Sequence, residues 1–406
     1  MGFALANKVS KNRIAKQITT LTGLSLLTLA YLNCSKQGFQ TQVNSTITSA
    51  SSNSGAGSSS DRPPLKTGQQ DVFMAFGKVG RTVMSCDDGK TWINDRSDDD
   101  LAQCWTGTAA TNPHYVECDH DARSSVGLDT GSDGWFYAQY GWGYDGSIRR
   151  SRDGVKWEII RTGGWGGGLA VAKNVVFSLW GSLWSYSQDL GLTWQSSASI
   201  PTVAFDHPFV KHVGEKLINN GRGNGELAVS LDSGLTWTLA PGFEAGWGDS
   251  FAEGNGILLS TGTRLDATNQ PVAGYAARSL DNGKTWSAVS VFASRSWSAN
   301  LIFDGKVFVN WADGKRWTSA DGVSWTSVPF TTGSINSNYW GATVSFNPRT
   351  GTYVALTSSW GAWYSSQRAF RSTDGITFIE LDSAHFKGGH PIAKVITGPM
   401  DASSCP

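Results

Sequence analysis

The amino-acid sequence predicts an all-β fold made of seven similar units. The first observation is a motif, Ser-x-Asp-x-Gly-x-Thr-Trp, that recurs in full or one residue shorter. Its seven copies span residues 85–92, 151–157, 187–194, 230–237, 279–286, 319–325 and 372–378. The second observation is that their aspartates lie 36 to 66 residues apart, which is typical of a repeat architecture. The third is a composition with 48 Gly and 12% aromatic residues, which suits many short strands joined by tight turns.

Each copy of the motif, here called a repeat turn, predicts a tight connection between two strands. A short Asp side chain accepts hydrogen bonds from nearby backbone N–H groups, and Gly adopts the left-handed conformation that other residues resist. The Thr-Trp pair that follows favours a strand and supplies a large apolar anchor. We therefore expect each repeat turn to be a hairpin turn held by its own Asp side chain.

The repeat turn resembles the Asp-box (BNR) repeat of sialidases and related β-propellers. The resemblance rests on the copies given above, such as SLDNGKTW at 279–286 and SRDGVKW at 151–157. In that family the box lies between the third and fourth strands of a blade, and the ligand face lies on the opposite side. The resemblance implies a β-propeller fold and says almost nothing about chemistry.

The strand-like runs around the repeat turns agree with a propeller of seven four-stranded blades. In the fifth repeat, runs at 247–256, 257–263 and 274–279 precede the turn, and one follows it. The first repeat lacks its first strand, whereas residues 390–398 form a strand with no repeat of their own. We predict that this C-terminal strand completes blade one, which closes the ring and removes two exposed strand edges.

The N-terminal segment predicts export. Residues 1–33 resemble a signal peptide, because four basic residues precede an apolar run that is short and rich in Thr and Ser. Cys34 then resembles the lipid-modified cysteine of bacterial lipoproteins; ordinary cleavage and an uncleaved anchor are the alternatives. Residues 34–70 predict a disordered Ser/Gly-rich tether, and residues 71–406 the propeller. The expected location is the cell envelope or the outer-membrane surface.

The charge distribution limits the expected partners. The formal net charge is zero. Because residues 1–33 hold four basic and no acidic residues, the remainder carries a net charge of 0 − 4 = −4. A mildly acidic chain without a Lys/Arg block argues against nucleic acid or anionic lipid as partner. We expect a monomer that meets the membrane only through a lipid anchor.

The cysteines left after Cys34 predict two disulfides. Cys86 lies in the first repeat turn and Cys405 follows the closing strand, so both should reach the same side of blade one. We therefore predict a Cys86–Cys405 bond. Cys104 would then pair with Cys118 inside the insertion that lengthens the first repeat. Oxidation is plausible in an exported chain, and free thiols are the alternative.

Tryptophans recur at matching places at the predicted ligand face, mostly next to Gly. They are Trp142, Trp165, Trp180, Trp247, Trp297, Trp311, Trp340 and Trp360. Open indole faces of this kind stack on the C–H faces of sugars, whereas the alternative is that these side chains only separate neighbouring blades. Arg222 and Arg264 fall in loops of the same face and would suit an anionic sugar.

A second group at this face contains His and Asp residues at the start of blades one, two and four. They are Asp119, His120, Asp121, Asp206, His207 and His390, with His385 near the same loop. If they point toward one rim of the central channel, they would suit either a metal ion or an acid/base pair for bond cleavage. The alternative is that they hydrogen-bond strand ends. No other cofactor is predicted.

These observations predict a carbohydrate-binding propeller rather than a sialidase. Sialidases have six blades, a Phe/Tyr-Arg-Ile-Pro motif and an arginine triad, and this sequence shows seven repeats and no counterpart of that motif. A glycoside-cleaving enzyme that uses the Asp/His group is the first alternative. A surface scaffold for a protein partner is the second.

Overall fold

The structure is a computed structural model that describes part of the chain. The described residues are 64–78, 80–97, 124–131, 134–142, 146–164, 166–180, 183–196, 209–220, 227–243, 247–265, 271–289, 301–333, 343–356, 368–381, 384–387 and 392–406. The chain divides into two units, Met1–Ala56 and Gly57–Pro406, and all of these residues belong to the second. The predicted signal peptide, Cys34 and the pair Cys104 and Cys118 lie outside them. No helix within the described ranges has the length and apolarity needed to cross a membrane.

Seven antiparallel sheets of four strands each form a seven-bladed β-propeller, as predicted. Blades one to three contain β1 (Gln69–Gly77), β2 (Thr82–Ser85), β3 (Ile93–Arg96) and the C-terminal β28 (Ile392–Asp401); β4 (Ser124–Thr130), β5 (Phe136–Trp142), β6 (Gly146–Ser151) and β7 (Glu158–Gly164); and β8 (Gly166–Ala172), β9 (Val175–Trp180), β10 (Leu183–Ser187) and β11 (Gln195–Ser196).

The other four blades follow the same order along the chain. They contain β12 (Phe209–Val213), β13 (Lys216–Asn220), β14 (Leu227–Ser230) and β15 (Thr238–Leu239); β16 (Trp247–Gly254), β17 (Ile257–Leu265), β18 (Pro271–Ser279) and β19 (Ser287–Val289); β20 (Ile302–Phe303), β21 (Phe308–Ala312), β22 (Lys315–Ser319) and β23 (Thr326–Pro329); and β24 (Thr343–Asn347), β25 (Thr352–Leu356), β26 (Ala369–Ser372) and β27 (Ile379–Glu380). A short helix, α1 (Ala384–Lys387), precedes β28.

The C-terminal strand closes the ring as the sequence predicts. β28 pairs antiparallel with β1, from Gln69 opposite Asp401 to Gly77 opposite Ile392, and takes the first position in the strand order of blade one. The predicted strand 390–398 is thus displaced by a few residues toward the C-terminus. Cys86 and Cys405 form a disulfide beyond the end of β28. The first and last segments of the propeller are therefore joined both by a strand ladder and by a covalent bond.

The alternating strand directions define two faces. Each third strand runs into a repeat turn, so the seven repeat turns share one side, here called the turn face. First strands run the same way as third strands, so they begin on the opposite side, here called the loop face. The loop face carries the connections from the fourth strand of one blade to the next blade, and those from each second strand to the third.

The glycines of the repeat turns also allow neighbouring blades to pack closely. Gly234 has φ +93°, and a Cβ added there would lie 2.5 Å from the Phe177 ring of the preceding blade. Gly191 would similarly meet Ile160 at 2.2 Å. Only Gly satisfies both the left-handed backbone and this close approach. The repeat turn therefore sets the spacing between blades as well as reversing the chain.

Candidate functional site

The repeat turns are held by a closed hydrogen-bond network, shown here for blade five. The Asp281 carboxylate accepts hydrogen bonds from Ser279 Oγ at 2.7 Å, from the Thr285 backbone N–H at 2.9 Å and from Thr285 Oγ1 at 2.6 Å. Ser279 Oγ accepts the Gly283 N–H at 2.8 Å, and Trp286 Nε1 donates to the Gly283 carbonyl at 3.0 Å. The predicted role of the Asp side chain is confirmed in this turn.

These bonds keep the turn-face carboxylates ionised. The hydrogen bonds from the Thr285 hydroxyl and N–H, followed by that of Ser279, lower the pKa of Asp281 to about 2. The equivalent bonds lower the pKa of Asp189 to about 2 as well. Acid/base catalysis near neutral pH needs a pKa near the working pH. The Asp residues of the repeat turns are therefore structural.

The longer repeat turns contain a feature that the sequence did not reveal. A non-glycine residue with positive φ precedes the turn Gly in each of the four eight-residue copies. These residues are Asp88, Leu190, Ser233 and Asn282, with φ of 63° to 64°. The extra residue of the longer motif thus adopts the left-handed conformation itself, just before the turn Gly. At Leu190 the residue type gives no indication of this conformation.

Three of the predicted ligand-binding tryptophans lie at the loop face in the described backbone. Trp142 ends β5, Trp180 ends β9 and Trp247 begins β16. Arg264 is next to the last residue of β17, which also ends there. Trp165, Trp297, Trp340, Trp360 and Arg222 belong to segments that the structure does not describe.

Trp311 departs from the prediction. Its side chain is completely buried, and its Nε1 donates to the Gly375 carbonyl of the next blade at 2.8 Å. Its ring meets Tyr353 edge to face with centroids 5.6 Å apart. An indole enclosed in this way offers no face to a ligand, so the stacking role predicted for Trp311 is wrong.

The predicted Asp/His group lies outside the described residues, but a related cluster is visible beside it. The six residues concerned are Asp119, His120, Asp121, Asp206, His207 and His390. Next to them in sequence, His385 Nδ1 lies 2.8 Å from Asp95 Oδ2. Arg81 donates to both oxygens of Asp95, at 2.8 and 2.7 Å, and to the His385 carbonyl at 2.6 Å.

The electrostatics of this cluster favour a charged carboxylate. Burial acts to raise the pKa of Asp95, but hydrogen bonds and charge from Arg81, and then from His385, outweigh it and the pKa is lowered. A carboxylate that holds one ring nitrogen sets the orientation of a histidine. The cluster joins α1 to blade one at the loop face. The sequence predicts His385 near this loop, but its Asp95 partner carries no sequence signal.

A second His–Asp contact lies among the innermost strands. Asp129 of β4 accepts the Val171 N–H of β8 at 2.7 Å and contacts His212 Nδ1 of β12 at 3.2 Å. On β28, enclosure by protein lowers the pKa of Lys394, while the Asp129 charge acts in the opposite direction. Asp129 thus connects blades two, three and four near the central axis. Its contacts are satisfied by the blades themselves, which favours a structural role.

Within the described part of the chain, no three His, Cys, Asp or Glu residues are grouped as a metal site would require. The metal ion considered for the Asp/His group concerns residues outside that part, so it stays a prediction. The same holds for the acid/base role of that group.

The chain is similar at low identity to several solved structures. YCF48 from Cyanidioschyzon merolae is 12% identical, with a TM-score of 0.44 over 66% of this chain and 87% of that chain. YCF48 bound to D1 peptide is 14% identical, with a TM-score of 0.44 over 66% and 84%. Virginiamycin B lyase from Staphylococcus aureus is 10% identical, with a TM-score of 0.48 over 66% and 86%.

No protein-family model matches the chain, and no curated protein is detectably similar to it. The likeness to Asp-box sialidases therefore stays a resemblance of motif. The class of protein follows from the strand order of the chain itself, which is that of a seven-bladed β-propeller. Function must then be sought in the residues of each face rather than in the fold.

Proposed function

We propose that this protein is a binding propeller that recognises carbohydrate on its loop face. The observation that carries the proposal is the distribution of its tryptophans. Those with a described side chain are all buried or half-buried: Trp92, Trp135, Trp157, Trp184, Trp194, Trp237, Trp286, Trp311, Trp317 and Trp325. Of the others, Trp142, Trp180 and Trp247 end or begin strands at the loop face. Six more fall in sequence between strands that meet the loop face: Trp105, Trp165, Trp297, Trp340, Trp360 and Trp363.

The architecture suits such a role. Loop-face connections are long in sequence, for example 97–123 between β3 and β4 and 334–342 before β24. A rigid ring that carries long connections at one face is a common arrangement for binding. Indole rings combine a large apolar surface with one N–H donor, which matches the C–H faces and hydroxyls of sugars. In the sequence, Trp142, Trp180 and Trp247 each have a Gly neighbour, which carries no side chain.

A glycan array tests the proposal. The full chain, purified in detergent, is compared with Trp180→Ala/Trp247→Ala and with the control Trp317→Ala, whose indole donates to the Ala312 carbonyl inside blade six. We expect retention by the parent and the control. The double variant should lose the non-acidic glycans, with an unchanged melting temperature. Failure of the parent to bind any neutral or anionic glycan would refute carbohydrate binding and favour a protein partner.

A glycoside-cleaving enzyme is the second candidate, and one observation favours it. His385 is held by Asp95 at the loop face, which is how a general acid or base is oriented. Mass spectrometry of glycans incubated with the parent and with His385→Gln decides between the two. Shortened products from the parent alone would support cleavage, whereas intact glycans in both samples would rule out this role.

We also propose that the protein acts outside the cytoplasm, anchored through Cys34. The Cys86–Cys405 disulfide supports export, because such bonds form and persist in oxidising compartments. Metabolic labelling with a radioactive fatty acid should label the parent and not Cys34→Ala. Equal labelling of both would exclude this attachment site.

A further inference from the structure

The turn face of blade two contains a hollow that the roles described above leave unexplained. Its volume is about 340 Å³, and it is lined by Trp135, Arg152, Asp153, Lys156, Trp157 and Glu158. Trp135 ends the tight turn between β4 and β5, in which its carbonyl accepts the Gly131 N–H at 2.8 Å. The other lining residues belong to the repeat turn of blade two or begin β7. The hollow therefore lies at the opposite end of the strands from the loop-face tryptophans.

Two arginines lie over the Trp135 ring, and only one of them is paired with a carboxylate of the described residues. The Arg150 guanidinium carbon is 4.4 Å from the ring centroid, and that of Arg152 is 4.6 Å away. Arg150 is neutralised by Glu158, with Nε donating to Oε2 at 2.8 Å, and it also donates to the Leu190 carbonyl at 2.6 Å. Glu158 is thereby occupied by Arg150, which leaves Arg152 stacked on the indole.

Arg152 and Lys156 supply the free positive charge of the hollow. Both side chains are exposed, and neither makes an ion pair within the described part of the chain. Asp153 is committed to the repeat turn, where it accepts the Val155 and Lys156 N–H groups at 2.8 and 2.7 Å. With Arg150, the hollow and its rim hold three cations, which face the two carboxylates Asp153 and Glu158, a net charge of 3 − 2 = +1.

We propose that this hollow binds an acidic sugar unit, such as a uronic acid of a polysaccharide. A guanidinium stacked on an indole is already oriented, and its N–H groups match a carboxylate in two parallel hydrogen bonds. Lys156 adds a second cation on the same rim. Trp157 supplies an apolar wall for the ring carbons of a sugar, while the Trp135 ring supports the Arg152 guanidinium. The volume lies at the small end of the ligand-pocket range of about 300–1,000 Å³.

Calorimetric titration of the full chain with a tetrasaccharide of galacturonic acid tests this site. Arg152→Gln and Lys156→Gln should each weaken binding about tenfold or more, because a charge-assisted hydrogen bond is lost. The matched control is Lys284→Gln, which changes an exposed lysine in the repeat turn of blade five and should leave the affinity unchanged. Absence of binding by the parent, or equal weakening by Lys284→Gln, would overturn the proposal.

Three further arms separate the alternatives. A neutral galactose tetrasaccharide should not bind Trp180→Ala/Trp247→Ala, which lacks the proposed loop-face rings. An oligoglutamate peptide should bind the parent at least tenfold more weakly than the galacturonate tetrasaccharide. Equal affinity for the peptide would mark the hollow as a site for acidic protein and overturn the sugar assignment. Trp180→Ala/Trp247→Ala should retain galacturonate binding, because it alters only the loop face. Loss in that variant would place the ligand on the loop face instead. Binding of galacturonate at the hollow can therefore be tested whether or not the loop face binds carbohydrate.

Folding controls keep the result interpretable. Arg152 and Lys156 are exposed, so each variant should melt within about 2 °C of the parent. Arg152→Lys keeps the positive charge but loses the planar pair of donors. We expect it to weaken binding while leaving the melting temperature unchanged, whereas full affinity in this variant would overturn the role assigned to the stacked guanidinium.

Discussion

Removing the Cys86–Cys405 bond should destabilise the propeller strongly, because it joins residues 319 positions apart. In the chain-entropy description, crosslinking a loop of that length stabilises the folded state by up to about 6 kcal/mol relative to an unrestrained unfolded chain. The β28–β1 ladder pairs backbone groups that do not involve the bond, so we expect the folded state to keep its structure without it. We expect Cys86→Ser/Cys405→Ser to lose about 3–6 kcal/mol of unfolding free energy.

Urea unfolding followed by tryptophan fluorescence measures this loss, with the unfolding free energy obtained by linear extrapolation. Reduction of the parent with a thiol should cause at least the same loss. Reduction of the double variant should remove only the contribution of the predicted Cys104–Cys118 bond. Native-state hydrogen exchange should show earlier opening of β28 and unchanged protection of β13 in blade four. A loss below about 1 kcal/mol from a fully oxidised parent would refute the argument that the bond stabilises through its loop length.

Three further predictions concern the turns and the core. The unfolding free energy should fall between about pH 4 and pH 2. The reason is that Asp189, Asp281 and Asp321 have a pKa lowered from 3.8 to about 2 and lose their contribution to stability as they protonate. Acid titration followed by circular dichroism should show a smaller dependence of stability on pH for Asp281→Asn than for the parent. Gly234→Ala should cost about 1–3 kcal/mol more than Gly256→Ala. Both glycines have positive φ, but only the first would place a Cβ against Phe177, and equal urea midpoints would contradict this account. Trp311→Phe should lower the unfolding free energy by about 1–3 kcal/mol, because it leaves the Gly375 carbonyl without its donor. Glycan retention should stay unchanged. Loss of retention at an unchanged melting temperature would restore a ligand role for Trp311.

Trp311 shows that the sequence pattern does not fix the exact end of a strand. Trp142 and Trp180 are the last residues of second strands, and the same position was expected for Trp311. Trp311 instead lies one residue before the end of β21. Successive side chains of a strand point to opposite faces of the sheet, so a shift of one residue reverses the direction of the ring. The sequence predicts the strand but does not place its end to within one residue.

The hollow on blade two was missed for a different reason. Arg150, Arg152 and Lys156 are visible in the sequence as charges around a repeat turn, where solvated side chains are ordinary. Their significance depends on Trp135, which lies 17 residues before Arg152 in another turn of the same blade. Only strand pairing between β5 and β6 brings these turns together.

The sequence by itself determined the all-β class, the seven repeat turns with their Asp contacts, the closing strand and the Cys86–Cys405 bond. These features depend on interactions within a few residues, or on a repeat that fixes which end of a strand a residue occupies. The tertiary structure alone decided the contacts between blades. Asp129 meets His212 across 83 positions and Asp95 meets His385 across 290. No local preference encodes such pairs, because they form only when the ring is closed and brings distant strands to the same axis or the same face.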